Sequence, residues 1–110
     1  MLFRSKIKNH FIKFEKDNGR VPTIVCMGLA FKPDIDDLRE SPALHIAEKI
    51  YATYPKEKAV FVEPNVESHK NLPISSKEIA IQKADIFFIL VAHKEFEGMI
   101  APNIISFVNI

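Results

Sequence analysis

Apolar side chains recur at Phe3, Ile7, Phe11 and Phe14, at steps of four, four and three. That spacing puts them on one stripe of a first helix ending near Asn18-Gly19, basic on its other face. Residues 23–27, 60–62, 86–91 and 104–108 are instead β-branched and apolar without alternation. Such runs predict strands covered on both faces, as in a parallel sheet. Between the first two strands, Ser41 is a good N-cap with Pro42 at the first helical position. The helix it opens should run to about Tyr54 and bury Leu44, Ala47, Ile50, Tyr51 and Tyr54. Before the third strand, Ser75-Ser76-Lys77-Glu78 has the spacing of a capping box from Ser75 to Glu78, predicting a short helix through Ile79, Ala80 and Ile81. Strands alternating with helices imply right-handed crossovers and an α/β fold in three layers. The expected sheet is open, parallel and doubly wound, in the order 2-1-3-4, with helices on both faces. Its switch point lies between the first and third strands, so residues 29–40 and 92–98 should border a ligand crevice. The first helix needs a partner for its phenylalanine stripe, either this sheet or another domain.

Composition narrows the function classes. A chain of 110 residues suits one domain, and 15 Lys and Arg against 14 Asp and Glu leave a net charge of +1. No global field draws it to nucleic acid or an anionic membrane, so any anion site must be local. No apolar run approaches the ~20 residues that span a bilayer, and the start lacks a signal-peptide core. The single cysteine, Cys26, excludes an internal disulfide and reads as a core residue of the first strand. These features predict a cytoplasmic location. There is no internal repeat or low-complexity tract.

The chemistry concentrates after the first strand, where Lys32, Asp34, Asp36, Asp37, Arg39 and Glu40 fall between Gly28 and Pro42. A pyrophosphate cradle needs several glycines to let backbone amides approach the phosphates, and here Gly28 stands alone. Lys32 is not followed by Ser or Thr, so a Walker-type loop is absent too. Lys32 can still meet a phosphate as a point charge, with loop amides completing the site. The carboxylates do not fit an EF-hand pattern and are read as shaping the loop, paired with Lys32 and Arg39, rather than as metal ligands. Asp37 and Glu40 also suit the positive end of the following helix. His93, at the end of the third strand, is expected beside the crevice with Lys32, capping the next turn rather than acting in catalysis. His10, His45 and His69 have no partner in the sequence for a zinc site or general-base pair. No catalytic residue and no metal ligand is assigned.

The run Cys-Met-Gly-Leu-Ala-Phe-Lys-Pro-Asp-Ile-Asp-Asp-Leu-Arg-Glu-Ser-Pro-Ala over residues 26–43 resembles, without a gap, the motif that opens the C-terminal domain of the UDP-glucose/GDP-mannose dehydrogenase family. Val62-Glu63-Pro64-Asn65 resembles the end of that domain's second strand, Lys83-Ala84-Asp85 the approach to the third, and residues 90–96 its exit. These details are most similar to the branch that oxidises UDP-N-acetyl-D-mannosamine. The similarity covers about residues 21–108. It implies a Rossmann-like UDP-sugar-binding domain at 21–110, preceded at 1–20 by the tail of a connecting helix.

Members of the family oxidise the C6 hydroxyl of a nucleotide sugar to a carboxylate, by two hydride transfers to NAD through a cysteine-bound intermediate. By resemblance, Phe31 and Lys32 contact the UDP-sugar, Asp34 lies in the same loop, and Arg39 reaches NAD held mainly by another domain. The glycine-rich NAD fingerprint and the catalytic cysteine have no counterpart here, and Cys26 matches a strand position. This chain alone is therefore expected to be inactive, a partner to the rest of a dehydrogenase. The family also places a basic substrate-contacting residue after the last strand, where this sequence has Asn109-Ile110. The full-length family forms homodimers, and this piece is expected to be monomeric or weakly associated. The implied pathway is surface-polysaccharide precursor synthesis. The alternatives are the equivalent domain of a UDP-glucose 6-dehydrogenase, or a non-catalytic module that binds a nucleotide or a protein.

Overall fold

The computed structural model describes residues 2–30, 38, 41–66, 69, 72–98 and 103–107. Helix α1 (Leu2–Asn18) leads into strand β1 (Ile24–Met27), helix α2 (Pro42–Thr53) and strand β2 (Ala59–Val62). Strand β3 (Ile74–Ser75), helix α3 (Lys77–Lys83), strand β4 (Ile86–Ile89) and strand β5 (Ile104–Ser106) follow. Short 3-10 turns occupy Lys56–Lys58 and Lys94–Phe96. All pairings are parallel and the order is β3-β2-β1-β4-β5. The predicted order 2-1-3-4 is therefore present, with one edge strand added.

Why the strands carry no alternation is visible in where their side chains go. Ile24 and Cys26 of β1, Phe61 of β2 and Phe88 of β4 pack with Ile7 and Phe11 of α1 and with Ala43, Ile46, Ala47 and Ile50 of α2. Val25, Met27, Val62, Phe87 and Ile89 pack on the opposite face with Ala80 of α3 and Phe96. Both faces of β1 and β4 are covered, so each of their positions must be apolar, whereas the edge strand β5 is only half-buried, with Ser106 exposed, against the expectation for residues 104–108. Ile7, Phe11 and Phe14 of the α1 stripe thus find their partner within this domain, while the Phe3 side chain lies outside the described residues. Ile7 and Phe11 are buried, Phe14 is partly so, and the Phe11 ring lies 4.5 Å from that of Tyr54. Helix α1 ends at Gly19, whose φ of +69° and bond to the Glu15 carbonyl close it in the left-handed conformation.

Two expectations need correction. Ser75 does not cap α3: it pairs with Val62 in β3, and the N-cap is Ser76, whose hydroxyl accepts from the Ile79 amide. The two-residue β3 has no periodicity of its own and exists because the exposed edge of β2 offers it hydrogen bonds. The buried stripe of α2 is also turned from the predicted one. Ala47 and Ile50 are buried as expected, but Ala43 and Ile46 join them, while Leu44, Tyr51 and Tyr54 lie half-buried at its flank.

The amino-terminal edge of the sheet is closed by Asp85. Its carboxylate takes both guanidinium nitrogens of Arg20 at 2.9 Å and the Thr23 amide at 2.9 Å. Arg20, Thr23 and Asp85 thereby tie the entry of β1 to the entry of β4. Among the described residues no helix is long and apolar enough to cross a membrane.

Candidate functional site

The carboxyl edge of the sheet is built around Gly28. Its φ is +96°, and a Cβ placed there would stand 2.6 Å from Val91 Cβ and 2.9 Å from the Val91 nitrogen. Glycine is needed because β1 leaves the sheet in direct contact with the chain leaving β4. The Gly28 amide donates to the Val62 carbonyl, and the Leu90 amide donates to that of Met27. The ends of β2, β1 and β4 are therefore drawn together where the charged loop begins.

A buried carboxylate fixes the first residues of that loop. Glu63, at the end of β2, is 2 % exposed. Its Oε1 accepts from the Leu29 amide at 2.8 Å, the Ala30 amide at 3.1 Å and His93 Nε2 at 2.8 Å. Its Oε2 accepts from the Asn65 amide at 2.9 Å. His93 is fully buried, with Asn65 Nδ2 lying 3.4 Å from its Nδ1. Burying a carboxylate is costly unless its oxygens are hydrogen-bonded, and four N–H groups meet that requirement here.

The other end of the loop returns to the same place. Ser41 is buried and its hydroxyl donates to the Ala30 carbonyl at 3.1 Å while accepting from the Leu44 amide at 3.2 Å. One side chain thus caps α2 and joins the two ends of the segment 31–40. Leu38 packs against the core shared by α1 and α2, and the Ser41 amide donates to its carbonyl.

The residues assigned from the sequence divide accordingly. Phe31, Lys32, Asp34 and Arg39 fall outside the described residues, as do Asp36, Asp37 and Glu40. The framework carrying them, Gly28 to Ala30 on one side and Ser41 with helix α2 on the other, lies within the described residues. His93 stands at the expected strand exit, but its ring is turned inward. Its carbonyl accepts from the Phe96 amide and so opens the 3-10 turn, yet its side chain makes no cap. The ring is taken up by Glu63 instead. Neither composition nor spacing singled out Glu63, although an acidic residue at the end of an apolar strand, level with Gly28, is the signal that could have done so.

Cys26 is fully buried, and desolvation pushes its thiol up to about 12. It is a packing residue and not a nucleophile. Among the described residues no group of three or more His, Cys, Asp or Glu side chains could hold a metal ion.

A dinucleotide does not fit the first turn in the usual way. In that mode the amides following β1 point at the pyrophosphate. Here the Gly28 amide is committed to Val62, and those of Leu29 and Ala30 are committed to Glu63. An internal carboxylate holds the place where a phosphate would lie. A nucleotide at this edge is therefore not met by the amides of residues 28–30.

Comparison with known proteins agrees with this architecture. Residues 25–109 match the UDP-glucose/GDP-mannose dehydrogenase family, UDP binding domain. The chain is 42% identical over 93 residues to a UDP-N-acetyl-D-mannosamine dehydrogenase of Campylobacter jejuni, covering 78% of this chain and 23% of that protein. It is 46% identical over 81 residues to one of Yersinia pestis, covering 69% and 19% respectively. Among solved structures it is similar to a UDP-D-ManNAc dehydrogenase from Pyrococcus horikoshii, with a TM-score of 0.64 and 28% identity over 87% of this chain and 22% of that one. The chain spans about one fifth of the length of the curated relatives it matches. It belongs to the UDP-glucose/GDP-mannose dehydrogenase family, matching that family's UDP binding domain.

Proposed function

We propose that this chain forms the UDP-sugar side of the active site of an NAD-dependent UDP-N-acetyl-D-mannosamine 6-dehydrogenase. The reaction oxidises the C6 hydroxyl to a carboxylate and yields UDP-N-acetylmannosaminuronate for surface polysaccharide. The observation that carries the reading is the ungapped motif at 26–43, whose two ends are pinned together at the carboxyl edge of the sheet by Ser41 and Ala30. In this reading Phe31 and Lys32 contact the UDP-sugar, Lys32 at the diphosphate or sugar oxygens, with Asp34 in the same loop. A planar guanidinium at Arg39 reaches across to NAD, which is held mainly by the remaining part of the dehydrogenase. The relatives' identities favour N-acetylmannosamine over glucose as the sugar. Residues 1–20 continue a connecting helix, and the assembled enzyme is a cytoplasmic homodimer.

The division of labour gives the test. Calorimetric titration of the chain with UDP should show saturable binding, and GDP should bind more weakly. The chain mixed with NAD and UDP-N-acetylmannosamine should form no NADH. Equal affinity for UDP and GDP would remove the assignment of the nucleotide, and turnover by the chain alone would overturn the claim that it supplies one side only.

A further inference from the structure

We infer that Glu63 is a positioning residue for the nucleotide-sugar loop, an internal anion that orients the backbone entering Phe31 and Lys32. The inference rests on the UDP-sugar reading above and adds a residue to it. Glu63 joins the exits of three adjacent strands through one carboxylate: Leu29 and Ala30 after β1, Asn65 after its own strand, and His93 after β4. Both Glu63 and His93 side chains are completely enclosed, so water does not compete for these bonds.

Ala30 makes the connection to the loop direct. Its amide is held by Glu63 and its carbonyl by Ser41, so both polar groups of the peptide units flanking it are fixed immediately before Phe31. A site whose amides bound the phosphate themselves would need no such carboxylate. Here the amides of Leu29 and Ala30 are spent on Glu63 and are not offered to a phosphate, and the direction in which the chain enters the loop is set at Ala30. In the UDP-sugar reading Lys32 follows Ala30 by two residues, so a change in the backbone at Ala30 should carry over to its contact with the anion, and charge-assisted contacts weaken sharply with geometry.

Asp85 provides the comparison that separates positioning from mere support. It is also a carboxylate that ties strand ends together through several N–H donors, but on the opposite edge of the sheet. The test uses the chain as it stands, with Glu63→Gln and Asp85→Asn, UDP as the probe, and amide NMR as the ligand-free readout. Glutamine keeps an acceptor for Leu29, Ala30 and His93 but sets an amide N–H against that of Asn65. In the absence of ligand, Glu63→Gln should shift the amide signals of residues 29–32, while Asp85→Asn leaves them in place. UDP should then bind Glu63→Gln at least about tenfold more weakly, and Asp85→Asn within about twofold of the parent despite its lower melting temperature. His93→Gln, which alters one donor and retains the carboxylate, is the second variant should Glu63→Gln fail to fold, and should weaken UDP about threefold. Parent-like UDP affinity in the folded Glu63 variant, or in His93→Gln if that is the one that folds, overturns the inference. If the parent chain does not bind UDP, the UDP reading itself fails. The role of Glu63 is then decided by the ligand-free spectra, where unmoved signals at 31 and 32 overturn it.

Discussion

Alanine in place of Gly28 should destabilise the domain by about 2–5 kcal/mol, and both contributions can be traced to named atoms. The first is conformational: Gly28 has a φ of +96°, and an L-residue with a Cβ costs roughly 1–2 kcal/mol in the left-handed region. The second is steric. The new Cβ would lie 2.6 Å from Val91 Cβ, 2.9 Å from the Val91 nitrogen and 3.0 Å from the Val91 oxygen. Two of these three are backbone atoms, and the neighbouring Leu90 amide is bonded to the Met27 carbonyl at 2.8 Å. No rotamer change relieves the contact, so the roughly 1–3 kcal/mol typical of overpacking applies. A domain of this size has about 5–15 kcal/mol to lose. With a urea m-value of about 1–3 kcal/mol/M, the unfolding midpoint should fall by roughly 1 M or more. Equilibrium urea unfolding followed by circular dichroism measures it. A midpoint within about 0.3 M of the parent at unchanged m would refute the claim that β1 and the exit of β4 meet at this glycine.

The remaining predictions concern groups away from that contact. Hydrogen bonding from Arg20 holds the Asp85 carboxyl below the usual aspartate range despite partial burial. The stability it contributes is thus fully present above the unfolded value of about 3.9 and is lost as pH falls through the depressed folded value. Asp85→Asn should lower the melting temperature at neutral pH and flatten its decline on acidification. The effect is modest because Arg20 is more than half exposed. Acid limbs of equal slope in the two proteins would contradict this. Cys26, with its thiol pushed up to about 12, should resist an aromatic disulfide reagent in native buffer, where about one thiol in ten thousand is ionised near pH 8. Labelling should appear only through the urea transition, and prompt stoichiometric reaction of the native chain would show that β1 is not enclosed.

Much of the framework is legible in the sequence because each element carries its own signal. Ser41-Pro42 announces the start of α2 by cap chemistry, and the structure shows that hydroxyl accepting from Leu44. The unbroken apolar runs announce the strands, buried on both faces in β1 and β4 but only half-buried in β5, and the doubly wound plan then yields the order of β2, β1, β4 and β5. What escapes depends on partners distant in the chain. Ile74 and Ser75 become a strand only because β2 has a free edge. The stripe of α1 states that the helix must pack but not against what. Glu63 reads as a polar strand terminus until the fold brings it within 2.8 Å of an amide 34 residues upstream and a histidine 30 residues downstream. The assignments of Phe31, Lys32, Asp34 and Arg39 came from resemblance, since charge and spacing indicated only a local anion site.

Titration of the labelled chain with UDP, followed amide by amide, tests the central claim most directly. Shifts should concentrate in residues 29–39, with those on the opposite edge near Asp85 unmoved. Lys32→Ala should weaken the interaction by about 1.5–3 kcal/mol, the scale of a hydrogen bond to a charged group. An unperturbed spectrum at millimolar UDP, shifts centred away from this loop, or a Lys32→Ala variant that binds as the parent does would contradict the account.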